Sequence, residues 1–208
     1  MDKGKVINYA RKRHVVCGIF YANMRYMNKD DVVQALKEEG GVGVFPTDTL
    51  YGIVGSAFSK KAVERIYNIK GRDDNKPFIV LISQISDLAT FGINLTADQL
   101  TYLDSVWPGP VSVILPCLPD EFAYIHRGTQ SVAFRIPNDE AIREFVQKTG
   151  PLVAPSANPQ GLEPAYTIDE ARNYFGGTVD FYVDEGEKRA KPSTIISMLS
   201  GEPIVLRK

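Results

Sequence analysis

Cysteine and histidine are scarce in this chain of 208 residues, which holds only Cys17, Cys117, His14 and His126. With no Cys-x-x-Cys pair and no cluster of imidazoles, zinc fingers and histidine-based metal sites are excluded, and no disulfide framework is expected. A reducing cytoplasm is the compartment this composition predicts. No apolar run approaches the roughly 18 to 20 residues that span a bilayer, and no signal-peptide core opens the chain, so no membrane association is expected. Nucleotide signatures are missing as well. There is no G-x-x-x-x-G-K-[ST], and Gly41-Val42-Gly43 lacks a third glycine and opens a strand where the dinucleotide fingerprint requires a helix. No G-x-S-x-G elbow occurs, and two histidines without a nucleophile partner argue against triad hydrolysis. Cys117 reads as a small core residue.

What is present suits a globular protein that needs no staple. Apolar residues make up 44% of the sequence, with ten Phe, ten Tyr and one Trp, and 24 Lys and Arg stand against 25 Asp and Glu. That balance hides an asymmetry. Residues 1–26 carry Lys3, Lys5, Arg11, Lys12, Arg13 and Arg25 against Asp2 alone, which leaves 18 basic and 24 acidic residues for the remainder. A mildly acidic body argues against broad binding to nucleic acid, although a local basic cleft is compatible with it. The leader could serve as a nucleic-acid arm, a mitochondrial-type presequence, or simply upstream sequence translated ahead of a start at Met27, and the bland readings are favoured because short charged ends are usually solvated. The expected division is a basic extension over residues 1–27 and one domain over 28–208.

From Asn28 the patterning becomes regular. Asn28 and Asp31 resemble a helix cap ahead of Val32, Val33 and Leu36, and the helix ends at Gly40-Gly41. Strands are predicted at 42–45, 51–57, 78–82, 111–115, 131–136, 152–154, 179–183, 194–196 and 204–206, with helices at 59–70, 96–106, 139–149 and 168–175. Several strands follow one another without a helix between them. The expected class is therefore α+β, or α/β-like layers around a mixed sheet, and not a pure βαβ series.

Polar residues concentrate at the strand ends. Thr47-Asp48-Thr49 lies between two apolar strands, where open sheets place ligands, but an ordinary Asx or Thr turn explains it equally well. Lys70-Gly71-Arg72 followed by Lys76-Pro77 puts three cations near a helix C-terminus, which suits either the helix dipole or a polyphosphate. Pro155-Ser156-Ala157-Asn158 follows a buried strand and could start a helix or form an anion nest. Arg135 interrupts the strand Val132-Ala133-Phe134-Arg135-Ile136, sharing a face with Ala133, and needs a partner or an anionic ligand. Arg207 follows Ile204-Val205-Leu206 in a similar way, and Ser193-Thr194 opens another apolar run.

Taken together these segments resemble the YrdC-like proteins that make L-threonylcarbamoyladenylate. P-T-D-T-x-Y-G, K-x-R followed by K-P, W-P-G-P, V-A-F-R-x-P, S-A-N and P-S-T-I occur in that family's order across about residues 28–207. The family's K-x-R and S-x-N signature falls on Lys70, Arg72, Ser156 and Asn158, which favours the synthase branch over the YciO-like one. The sequence departs from the pattern at Ser112, where threonine is common, at Pro159-Gln160 and at Lys208. The resemblance implies a twisted mixed β-sheet flanked by helices with a concave basic cleft, in the short single-domain form.

The activity it implies is that of a nucleotidyltransferase, an L-threonylcarbamoyladenylate synthase. L-threonine and bicarbonate give a carbamate, which attacks the α-phosphorus of ATP and expels pyrophosphate, for threonylcarbamoyladenosine modification of tRNA. By carry-over, Lys70, Arg72 and Arg135 are the catalytic candidates. Thr49, Arg135, Ser156 and Ser193 would bind threonine and its carbamate, and Arg72, Lys76, Ser131, Asn158 and Arg207 would bind ATP. Thr167 is a further nucleotide candidate that reads equally well as a helix cap. No protein metal site is expected, and Mg²⁺ would arrive on the phosphates of ATP. The expected partners beyond ATP, L-threonine and bicarbonate are tRNA or the tRNA threonylcarbamoyltransferase machinery, in the cytoplasm. The rival readings are a non-catalytic binder of double-stranded or structured RNA and a YciO-like or carbamoyl-handling enzyme.

Overall fold

The computed structural model describes residues 29–73 and 76–208. The basic extension, Asn28, His14 and Cys17 lie outside the described residues. The first helix, α1 (Lys29–Lys37), leads into the hairpin β1 (Val42–Pro46) and β2 (Tyr51–Ser56). Ser59 then caps α2 (Lys60–Lys70) by accepting from the Ala62 N–H, and Gly71 closes it in the left-handed region at φ 57°. After β3 (Ile79–Leu81) and a 3₁₀ stretch at Ile85–Phe91, Thr96 caps α3 (Ala97–Val106) through a full capping box. The chain continues through β4 (Val111–Pro116), a short α4 (Ala123–His126), β5 (Ser131–Arg135), α5 (Glu140–Thr149) and β6 (Leu152–Val153). It ends with α6 (Ile168–Phe175), β7 (Phe181–Tyr182), β8 (Thr194–Ser197) and β9 (Ile204–Arg207). The 3₁₀ stretch and α4 are additions to the elements expected from periodicity. The 3₁₀ stretch is built on a local cap, the Asp87 carboxylate accepting from the Ser83 N–H at 2.8 Å, and neither element is long enough to show an apolar stripe.

All nine strands of the described residues join one sheet in the order β7-β1-β2-β6-β3-β5-β4-β8-β9, so the sheet is mixed as expected. β1 pairs in parallel with β7, β3 with β5 and β4 with β8, and the other neighbours are antiparallel. Alternation along the strands sends successive side chains to opposite faces. On one face Val44, Ile53, Val80, Val113, Phe134 and Val153 pack against α2, α3, α6 and the 3₁₀ stretch in the main core. On the other face α1 and α5 cover Phe45, Val54, Leu152, Phe181 and Leu81, with the rings of Phe45 and Phe145 stacked at 4.2 Å. Gly43 is obligatory there, because a Cβ would sit 2.3 Å from the Phe181 ring. This second layer ends at Leu81. Beyond it the floor made by β3, β5, β4 and β8 opens to a cavity. No described helix is long and apolar enough to cross a membrane.

Candidate active site

The cavity has a volume of about 400 Å³ and is floored by Ile79, Leu81, Ser131, Ala133, Arg135, Ile114 and Ile195. These are the alternate residues whose neighbours, Val80, Val132, Phe134, Val113 and Ile196, are buried. Its walls come from the turn between β1 and β2, the segment after α2, the loop after β6, and the segment entering β8.

The β1–β2 turn is held by Thr47. Its hydroxyl donates to the Leu50 carbonyl at 2.7 Å and accepts from the Thr49 and Leu50 N–H groups at 3.2 Å each. This is the side-chain turn the sequence allowed, and it also delivers a site, because the next two residues engage Arg135. The Arg135 guanidinium forms a buried ion pair with the Asp48 carboxylate and donates to the Thr49 hydroxyl at 3.2 Å. Asp48 in turn accepts from the Asn138 N–H at 3.0 Å, tying the turn to the end of β5. Arg135 is 5% exposed and its Nε–H is buried without a partner. A buried guanidinium that lines a cavity is placed to meet an anionic ligand there.

On the opposite wall Arg72 donates through Nε to the Lys76 carbonyl at 3.0 Å and through Nη2 to the Pro77 carbonyl at 3.4 Å. Burial lowers its pKa from the ordinary arginine value. Ser131 and Thr129 bring hydroxyls 3.3 Å apart to the same cavity. Thr129 is a lining residue that sequence reasoning missed, since it sits in an irregular turn with no pattern around it. Ser193 donates to or accepts from Ser112 at 2.9 Å, and its carbonyl accepts from Arg207 Nη2 at 2.7 Å.

The loop after β6 neither starts a helix nor forms an anion nest. The Ala157 N–H donates to the Tyr51 carbonyl at 2.8 Å and the Asn158 N–H to the Ser156 carbonyl at 3.0 Å, so both amides are spent within the protein. Lys70 clasps this loop, its Nζ donating to the carbonyls of Ser156, at 2.6 Å, and Asn158. It is 3% exposed, and burial together with the nearby Arg72 charge lowers its pKa to about 7. The Ser156 hydroxyl donates to the Asn158 side-chain carbonyl at 2.6 Å, while Asn158 Nδ2 donates to Pro159 and Leu162 carbonyls.

Thr49, Arg72, Ser131, Arg135, Ser156, Ser193 and Arg207 thus converge on one cavity. Lys70, Lys76, Asn158 and Thr167 do not line it. Lys76 is exposed and paired with Asp73 at 2.6 Å. Thr167 caps α6, accepting from the Glu170 N–H while the Glu170 carboxylate returns to the Thr167 N–H. Asp48, treated from sequence as one polar residue of a turn, is the counter-ion of Arg135. The apolar strand around Arg135 could have signalled that need, since it demanded an acidic partner somewhere in the chain.

The Sua5/YciO/YrdC family model, described as "Telomere recombination", matches residues 35–208. The chain belongs to this family. A relative from Methanocaldococcus jannaschii is 36% identical over 85% of both chains. Threonylcarbamoyl-AMP synthase of Bacillus subtilis is 33% identical over 83% of this chain, which spans only 51% of that longer protein. The enzyme of the same name from Yersinia enterocolitica is 31% identical over 83% of this chain and 92% of its own length. Among solved structures, Pyrococcus abyssi Sua5 complexed with L-threonine superposes with a TM-score of 0.77 at 28% identity, covering 88% of this chain and 55% of that one. Escherichia coli YciO shares the fold, with a TM-score of 0.76 at 23% identity over 88% and 91% of the two chains.

Proposed function

We propose that the chain is an L-threonylcarbamoyladenylate synthase, condensing L-threonine, bicarbonate and ATP into threonylcarbamoyl-AMP and pyrophosphate. The observation that carries this reading is one cavity onto which three guanidiniums converge, Arg135 from the floor and Arg72 and Arg207 around it. Arg135, oriented by Asp48 and Thr49, suits a carboxylate, and Arg72 and Arg207 suit phosphates. Among the described residues no cysteine or histidine lines the cavity. The reaction needs none: the threonine amine attacks the carbon of bicarbonate with loss of water, or of derived carbon dioxide with loss of a proton, and a carbamate oxygen then attacks the α-phosphorus, breaking the α–β phosphoanhydride bond and releasing pyrophosphate. Holding two anions in reach of each other, and stabilising the charge that builds on phosphate, is work for positioned cations and hydroxyls.

In this reading Arg135, Thr49, Ser156 and Ser193 hold the amino acid and its carbamate. Arg72, Ser131 and Arg207 face the nucleotide, with Thr129 as an added hydroxyl. Lys70, Asn158 and Lys76 act from behind the wall, and Thr167 serves the helix. Among the described residues no group of three or more His, Cys, Asp or Glu is placed to hold a metal, and Asp48 is committed to Arg135. That donor set fits Mg²⁺ carried by ATP oxygens and water, where it would neutralise phosphate charge. The product is an activated acyl donor, consumed in the cytoplasm by an acyltransferase acting on tRNA. The test is pyrophosphate release from ATP with each amino acid and bicarbonate. Release that requires L-threonine and bicarbonate together is expected. Equal release without threonine, or salt-sensitive RNA binding with no release, would overturn the reading.

A further inference from the structure

Behind Arg72 stands a column of side chains that the reaction does not touch. Phe78, a lining residue of the cavity, lies beneath the Arg72 guanidinium at 5.3 Å from ring centroid to Cζ. The Tyr67 ring stacks on Phe78 at 4.0 Å, and the Arg127 guanidinium covers the far face of this pair, 3.9 Å from the Tyr67 ring. Arg127 is locked in turn by a bidentate pair with Glu64, at 3.0 and 2.9 Å. The Tyr67 hydroxyl donates at 2.9 Å to the Lys76 carbonyl, the same oxygen that receives the Arg72 Nε–H at 3.0 Å. Glu64 and Tyr67 lie one turn apart on α2, so one helix face presents both halves of the Arg127 seat.

Arg127 also occupies an unusual place in the backbone. It terminates α4 at φ 52°, in the left-handed region that residues with a Cβ adopt at a cost. Glycine follows it directly, and glycine would suit the position better by conformation alone. An arginine there is explained by its side chain. That side chain fastens the turn that carries Thr129 and leads into Ser131 of β5 to α2, the helix just ahead of Arg72, and thereby sets the spacing of the cations and hydroxyls on the nucleotide wall.

We propose that Arg127 is a positioning residue for the nucleotide half of the site, acting through Tyr67 and Phe78 on Arg72 and through its own turn on Thr129 and Ser131. The proposal rests on the synthase reading for its choice of ligand, and the test separates the two. Arg127→Lys keeps the charge and can still meet Glu64, but loses the bidentate fork and the flat face over Tyr67. Tyr67→Phe keeps the stack and removes only the hydroxyl that shares the Lys76 carbonyl. ATP binding by calorimetry, KM for ATP, KM for threonine and Tm are measured on the full chain and both variants.

The expected result for both variants is a 5- to 20-fold rise in the Kd and KM for ATP, with KM for threonine within twofold of wild type. The double variant carrying Arg127→Lys and Tyr67→Phe should be no worse than the more damaging single change, because the two act on one column. A lowered Tm with unchanged Kd for ATP, or equal rises in both KM values, would make Arg127 a fold-stabilising residue only and overturn the proposal. A wild-type chain that binds ATP without threonine-dependent turnover would defeat the synthase reading, while the calorimetric comparison would still decide the role of Arg127. Failure of the wild type to bind ATP would overturn both.

Discussion

Arg135 and Asp48 together show how one charged residue can be structural and functional at once. The pair is buried at both ends, with side-chain exposures of 5% and 9%. Removing one partner from such a pair leaves an uncompensated charge, at a cost of roughly 3 to 5 kcal/mol. Asp48→Asn is therefore expected to lower Tm sharply and to raise KM for threonine as the guanidinium loses its anchor. Arg135→Lys keeps a cation beside Asp48 but removes the fork, so the fold should survive while catalytic efficiency with threonine falls by roughly 30- to 1000-fold. An unchanged threonine KM in the lysine variant would remove Arg135 from the site. Lys70 makes a different prediction. Its pKa falls from 10.5 to about 7 on folding, so between those values the unfolded chain binds a proton that the folded chain releases. The contribution of Lys70 to stability thus rises with pH from about 7 to 10.5, by at most about 1.4 kcal/mol per pH unit. Measured by urea unfolding, the stability of wild type relative to Lys70→Met should shift in favour of wild type as pH is raised across that window.

At the level of elements, the caps and the strand alternation were readable because both are local. Ser59, Thr96, Asp139 and Thr167 each accept from a backbone N–H three residues on, which their spacing from the first apolar residues already suggested. Thr167 is the useful case, since its side chain is fully accounted for by the capping box. Thr167→Ala should cost about 1 kcal/mol of stability and leave KM for ATP within twofold. A large rise in that KM would return Thr167 to the nucleotide site. The clasp of Lys70 on the loop after β6, the link between Asp48 and Arg135, and the seat of Thr129 were not readable. Each depends on contacts between residues 86 or more positions apart, or on a turn of irregular dihedrals, and nothing in a local window reports either.

For the whole molecule, the class of fold was legible while the strand order was not. A mixed sheet follows from strands that succeed one another with and without helices between them, but β6 contributes only Leu152 and Val153 to bridge β2 and β3. No propensity of two residues could announce a central position. The extension over residues 1–27 precedes every described residue that lines the cavity, and the family match begins at residue 35. A chain that starts at Met27 is expected to keep its Tm and its pyrophosphate release within twofold, which thermal unfolding and a turnover assay would check. Loss of soluble protein would show that the extension is part of the fold. The alternation of β5 carries a further consequence for how this protein tolerates change. Val132 and Phe134 face the core, while Ser131, Ala133 and Arg135 face the cavity, so a single five-residue strand answers to two selective pressures with opposite phase. In a saturation screen scored once for abundance in the cell and once for turnover per folded molecule, the two profiles along residues 131–135 should interleave like the teeth of a comb.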